Sequence, residues 1–138
     1  MKTLHVKKGL LKYFKKFLDG KLSGKECRIR SRFLQKLFPF IQELEDTRIA
    51  LCENFCDRKE SGEPSMVGGN YTFSAHFKEF NEEYAKLFNE TVSIEIEDDD
   101  LESIKKMLKG KEEKTEFDVE EYESYNEINK CLYENTDV

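Results

Sequence analysis

Apolar residues recur at helical spacing through the middle of this chain: Ile29, Phe33, Leu37, Ile41, Leu44, Leu51 and Phe55. A stripe of that length dictates a long amphipathic helix. Such a helix draws its stability from whatever covers the stripe, so the rest of the chain must supply partners for it. Ser23-Gly24-Lys25-Glu26 has the form of a capping box and sets the start. The spacing predicts a helix over about 24–57. Pro39 interrupts it, and an interior proline removes a backbone hydrogen bond at a cost of about 3 kcal/mol. A kink near Phe38, or two abutting helices, is the expectation.

The flanking patterns are shorter. Residues 1–8 alternate weakly, with Leu4 and Val6 on one side, and read as a short strand. Leu10, Leu11, Phe14, Phe17 and Leu18 stripe a helix over 9–19 that Gly20 stops. Residues 58–70 hold three glycines and Pro64 and read as a mobile loop, with a short strand over 71–73 after it. Ser74 is placed to cap a helix over 75–89 that turns Phe77, Phe80, Tyr84, Leu87 and Phe88 inward. Thr91 to Glu97 alternates cleanly, as a half-buried antiparallel strand does. Asp98, Asp99 and Asp100 open a helix carrying Leu101, Ile104, Met107 and Leu108, and Gly110 closes it. After a charged connector, Asp118 caps a last helix over 118–133, with Glu121 returning the bond and Tyr122, Tyr125, Ile128 and Leu132 as its stripe.

These elements make an α+β fold, predominantly helical, with four or five helices and a small two- or three-stranded antiparallel sheet. One domain over 1–138 fits the length of 138 residues, with an acidic helical C-terminal part over 98–138. The composition agrees: 38% hydrophobic and 38% charged is apolar-poor and charge-rich, as single-stripe helices with solvated backs would be. Eleven Phe and six Tyr compensate for the lack of Trp, because aromatic side chains bury large areas.

Charge is divided along the chain. Residues 1–36 carry twelve Lys and Arg against Asp19 and Glu26, a net of +10; the other 102 residues carry eleven bases and 27 acids, a net of −16. The densest basic run gives Lys25, Arg28, Arg30, Arg32 and Lys36, of which all but Arg30 form a stripe at spacings of three and four beside the apolar one. Arginines held this way suit phosphates or carboxylates, and Lys7, Lys8, Lys12, Lys15 and Lys16 extend the patch. The opposing acidic face is Glu95, Glu97, Asp98, Asp99 and Asp100. Three readings stay open: the two faces neutralise each other within the fold, they bind another protein, or the basic face binds nucleic acid. A fourth lets the acids of 95–123 imitate a phosphate backbone. A sequence pI near 5.1 weighs against strong nonspecific nucleic-acid binding.

Catalytic constellations are missing. The chain has no Gly-x-x-x-x-Gly-Lys-Ser/Thr loop and no Gly-x-Ser-x-Gly elbow. Val67-Gly68-Gly69-Asn70 reads as a turn. Cys27, Cys52, Cys56 and Cys131 read as reduced, with Cys52 and Cys56 on one helix face, and neither a zinc-type spacing nor Cys-x-x-Cys occurs. No catalytic residue, metal ligand or cofactor is expected. With no apolar run after the basic start, the expected location is cytoplasmic, without a membrane partner. Oligomeric state stays open.

The segment Leu22 to Leu37 resembles an uncharacterised family of small proteins from tailed phages of low-GC Gram-positive bacteria. Gly24, Lys25, Arg28, Arg30, Arg32, Phe33, Lys36 and Leu37 fit its pattern, while Cys27 stands where Ser is usual and Phe38 where Leu is usual. Gly62-Glu63-Pro64, Phe80-Asn81-Glu82-Glu83-Tyr84 and Thr91 to Ile96 extend the resemblance over residues 9–97. It implies a phage origin, hence a host-cell cytoplasm, and carries no established activity. The function expected is therefore binding without catalysis. The partner would be another protein, either a host defence complex that is inhibited or a virion-assembly component; the alternative is a nucleic-acid-binding module on the basic helix 25–36.

Overall fold

Alternation in Thr91–Ile96 becomes a strand with Val92, Ile94 and Ile96 buried and Thr91, Ser93 and Glu95 facing out. The computed structural model describes residues 1–137, apart from the side chain of Lys114. Along the chain it places β1 (Lys2–Lys7), a 3-10 turn (Lys8–Leu10), α1 (Leu11–Phe17), α2 (Gly24–Phe55), β2 (Met66–Val67), β3 (Asn70–Tyr71), α3 (Phe77–Asn89), β4 (Thr91–Ile96), α4 (Asp98–Lys114), α5 (Val119–Tyr133) and β5 (Thr136–Asp137). The fold is α+β and predominantly helical, with five α-helices, one three-stranded antiparallel sheet and one two-stranded hairpin among the described residues.

The sheet runs β4-β1-β5, so the N-terminal strand is its centre. β1 pairs with β4 from Lys2↔Ile96 to Lys7↔Thr91, and with β5 through Lys2↔Asp137 and Thr3↔Thr136. This register turns Leu4 and Val6 to the same side as Val92, Ile94 and Ile96. On the outer face His5 bridges its neighbours, with Nε2 3.1 Å from Thr136 Oγ1 and Nδ1 3.3 Å from Ser93 Oγ. The helices cover the inner face. Leu11, Phe14 and Phe17 of α1, Ile29, Phe33 and Leu37 of α2, Leu101, Ile104 and Leu108 of α4, and Tyr125, Ile128 and Leu132 of α5 complete one core with it.

The capping signals form with a difference. The Glu26 amide donates to Ser23 Oγ at 3.2 Å, but the Ser23 hydroxyl donates in turn to Glu26 Oε1 at 2.9 Å, where the box would have Glu26 reach a backbone N–H. At α5 the Glu121 amide donates to Asp118 Oδ1 at 2.8 Å. That bond holds the Asp118 carboxyl below the usual range.

Three expectations need correction, and of the two alternatives at Pro39 one falls away. Pro39 does not divide the long helix into two abutting ones: α2 runs unbroken for 32 residues. Pro39 and Gln35, whose carbonyl the proline leaves unbonded, both lie on the exposed side, where water can serve that carbonyl. Ser74 does not cap α3, because its amide and hydroxyl both go to Asp57; the N-cap is His76, with no side-chain bond. Gly110 does not close α4, which continues to Lys114. Beyond the glycine Lys111 pairs with Asp19, and Glu112 accepts from Tyr125 Oη at 3.2 Å, contacts that offset the roughly 1 kcal/mol that an interior glycine costs. Finally, residues 58–70 are not merely a loop. Met66↔Tyr71 and Val67↔Asn70 pair as a hairpin, with Gly68 at φ 58° and Gly69 at φ 81°, the positive values that a type I′ turn requires.

Phe33 lies at the centre of the core and Phe38 is 47% exposed on the same helix. Phe33→Ala is expected to cost about 3–5 kcal/mol in urea unfolding, and Phe38→Ala no more than about 0.5 kcal/mol. Equal costs would mean that α2 is rotated from the register described.

Candidate functional site

Residues three and four apart share a helix face, so burying Ile29, Phe33 and Leu37 decides where the basic side chains of α2 emerge. Arg32 comes out against the start of α4. Its Nη2 and Nε donate to the two carboxylate oxygens of Asp100 at 2.8 and 3.2 Å, a bidentate pair that raises the guanidinium pKa further. Lys36, one turn on, donates to the Glu95 carbonyl at 2.7 Å and so covers part of the open edge of β4. Arg30 emerges on the other side. Its Nη1 donates to the carbonyls of Leu18 and Gly20, both at 2.8 Å, and closes the end of α1.

The acidic residues answer this arrangement. Asp98 takes the N-terminal ammonium group at 3.1 Å, and Glu97 serves as N-cap of α4. Lys25, Arg28, Arg32, Asp99 and Asp100 line one notch of about 600 Å³ with Glu102 and Lys106. Arg30, Lys36, Glu95, Glu97 and Asp98 lie outside it. The basic and acidic faces therefore meet across the contact of α2 with α4, and of the five basic residues only Lys25 and Arg28 keep no partner among the described residues. Elsewhere Lys2 pairs with Asp137, Lys8 with Glu90 at 2.6 Å, and Lys16 with Glu121 at 3.3 Å. The notch alternates in sign, which suits internal neutralisation better than the uniform field a polyanion needs.

A different surface was not read from the sequence. The second half of α2 packs against α3, and Tyr71 of the β2–β3 hairpin and Arg58 both reach Glu53 near its end. Cys52, Cys56 and Leu87 are buried there, apart from the main core. The stripe of α3 expected to point inward does so in part: Leu87 is buried, Phe80, Tyr84 and Phe88 are half-buried, and Phe77 is exposed. The rings form a ladder instead. Centroid distances are 6.1 Å for Phe77–Phe73, 4.6 Å for Phe73–Phe80, 5.4 Å for Phe80–Tyr84 and 4.2 Å for Tyr84–Phe88.

The hairpin is fixed beside this ladder by polar bonds. The Ser74 amide donates to Asp57 Oδ1 at 2.8 Å and the Ser74 hydroxyl to Oδ2 at 2.7 Å. Tyr71 Oη donates to Glu53 Oε1 at 3.4 Å. A cavity of about 320 Å³ lies between ladder and hairpin, lined by Arg48, Cys52, Tyr71, Phe73, Phe80 and Tyr84. Burial raises the pKa of the Cys52 thiol and the Tyr84 phenol, so both stay neutral at pH 7. Arg48 is engaged by Glu45 at 2.5 Å. The signal for this surface was present in the sequence: Met66-Val67 and Asn70-Tyr71 flank a Gly-Gly pair, the form of a two-residue hairpin.

Among the described residues no three His, Cys, Asp or Glu side chains are arranged to hold a metal ion, and no helix is long and apolar enough to cross a membrane. No family model, curated protein or solved structure matches the chain.

The Asp57 bonds to Ser74 hold its carboxyl below the ordinary value. A depressed pKa means that the clamp is intact above about pH 4 and is lost as pH falls through the folded-state value. Carboxyl-carbon NMR titration should place the Asp57 midpoint below about 3.9, the ordinary aspartate value. Ser74→Ala should move that midpoint upward; an unchanged midpoint would remove the clamp.

Proposed function

We propose that this is a non-enzymatic phage-type protein that acts by binding another protein, either a host defence complex that it inhibits or a virion-assembly component. The observation that carries the reading is the far end of α2. Val67 is 70% exposed, Phe77 55% and Met66 44%; Phe77 ends the half-buried ladder, 6.1 Å from Phe73, and the hairpin that carries Met66 and Val67 shares a cavity with Phe73, Phe80 and Tyr84 through Gly69, Asn70 and Tyr71. Exposed aromatic and apolar side chains gathered at one place mark interaction surfaces, whereas isolated ones do not. Aromatic anchors of this kind carry most of the energy of protein–protein contacts.

The hairpin supports the reading through its bonding. A two-residue turn, the Asp57–Ser74 clamp and the Tyr71–Glu53 bond tie the segment around Val67 to the end of α2. Surfaces ordered in advance lose less entropy on binding. The alternative, nucleic-acid binding by the basic helix 25–36, has less behind it, because Arg30, Arg32 and Lys36 already hold internal partners.

Val67→Glu combined with Phe77→Glu places two charges on the exposed surface without touching either core. The wild-type chain, used as bait in extracts of host and infected cells, should retain a partner protein that the double variant loses, with both variants melting at the same temperature. Equal retention by the two proteins, or retention of nothing, would overturn the proposal.

A further inference from the structure

A second surface lies about 27 Å away along α2, counting 1.5 Å for each residue from Arg48 back to Arg30. It is a groove of about 630 Å³ between α1 and α2, with Lys12, Lys15, Lys16 and Arg30 around it, the half-buried Leu34 on its floor and the buried Leu18 beneath. Its charges are poorly compensated. Neither Lys12 nor Lys15 pairs with a carboxylate among the described residues. The half-buried Arg30 guanidinium bonds to carbonyls and the Cys27 sulfur, so none of its partners is an acid. Asp19, the one carboxylate lining the groove, is already bound to Lys111. Lys16 alone has an acidic partner, Glu121. Positive charges held together with a partly buried arginine create a field that favours an incoming anion.

We propose that this groove binds an acidic peptide segment of a partner protein. Lys12 and Lys15, one helical turn apart on α1, take carboxylates of the segment, and the half-buried Leu34 takes an apolar side chain. Two features favour a peptide over a nucleic acid. The floor is aliphatic, offering carbon packing but no ring on which a base would stack. The free cations are few, and strong nucleic-acid binding draws on about 6–10 phosphate contacts, whereas the rest of this chain is net negative and repels a long polyanion. A short segment presents its charge only where the lysines are.

The test is fluorescence anisotropy with the full chain at about 50 mM salt, where phosphate contacts are also strongest. The probe is a labelled peptide with two Asp-Glu pairs flanking Leu-Phe. Its partners in the assay are the same peptide with Asn-Gln pairs, and a labelled oligothymidylate. Saturable binding of the acidic peptide is expected, reduced at least about tenfold in the double variant Lys12→Glu with Lys15→Glu, as loss of close charge pairs predicts. Both lysines are exposed, so the variant should melt with the wild type. Val67→Glu with Phe77→Glu should leave this binding unchanged, which keeps it separate from the far-end surface. Equal binding of the neutral peptide, tighter binding of the oligothymidylate, or indifference to the lysine changes would each overturn the proposal.

Discussion

Phe33 meets Phe14 edge-on, with ring centroids 5.2 Å apart, and the placement of everything on α2 depends on that contact. With Phe33 turned into the core, Ile29 and Leu37 follow on the same face. Arg32 must then emerge beside α4, where Asp100 meets it, and Lys36 must reach the edge of β4. The same rotation sends Arg30 toward the end of α1. The charge pairs thus sort themselves after the apolar packing and contribute little on their own, since exposed ion pairs add at most about 1 kcal/mol.

Because α2 is 32 residues long, its rise is about 48 Å, more than one small core can cover. The first half packs against β4, α1 and α4. The second half meets α3, whose ladder of aromatic rings is half-buried except at Phe77. The 3-10 turn before α1 joins the two regions at Gly9, where a Cβ would come within 3.2 Å of Phe88. A side chain there would press on the Phe88 ring, so the glycine lets the end of α3 close tightly against the main body.

Much of this was legible in the sequence where one signal stood unopposed. Thr91–Ile96 alternates without exception, and Ser23 and Asp118 begin their helices as their chemistry suggests. The errors came where two local signals competed and a distant group decided. Ser74 has the right residue type for a cap, but Asp57, 17 positions earlier, claims it. Gly110 is a sound stop until the Tyr125 hydroxyl, 3.0 Å from the Leu108 carbonyl and 3.2 Å from Glu112 Oε2, shares its one proton between them across the turn that holds the glycine. For the candidate residues, the sequence showed a basic stripe and an acidic run. It could not show that α4 would lie against the stripe, because periodicity locates a face and not its neighbour. The same limit hid the aromatic ladder: spacing marks Phe80 and Tyr84 as one stripe, while only tertiary packing decides how much of it is covered.

The placement of β1 at the centre of the sheet bears on how the chain comes together in time. Its partners lie some 90 positions away in β4 and 135 away in β5, so every ladder bond of this strand is non-local. Loop closure over such separations slows folding, in contrast to the quick local assembly of helices. During synthesis β1 has no ladder partner until residues 91–96 have left the ribosome, while α1 and α2 are free to form much earlier. Leu4 and Val6 therefore stay unpaired over that interval, flanked by Lys2, Lys7 and Lys8, the residue type that discourages strand-to-strand association.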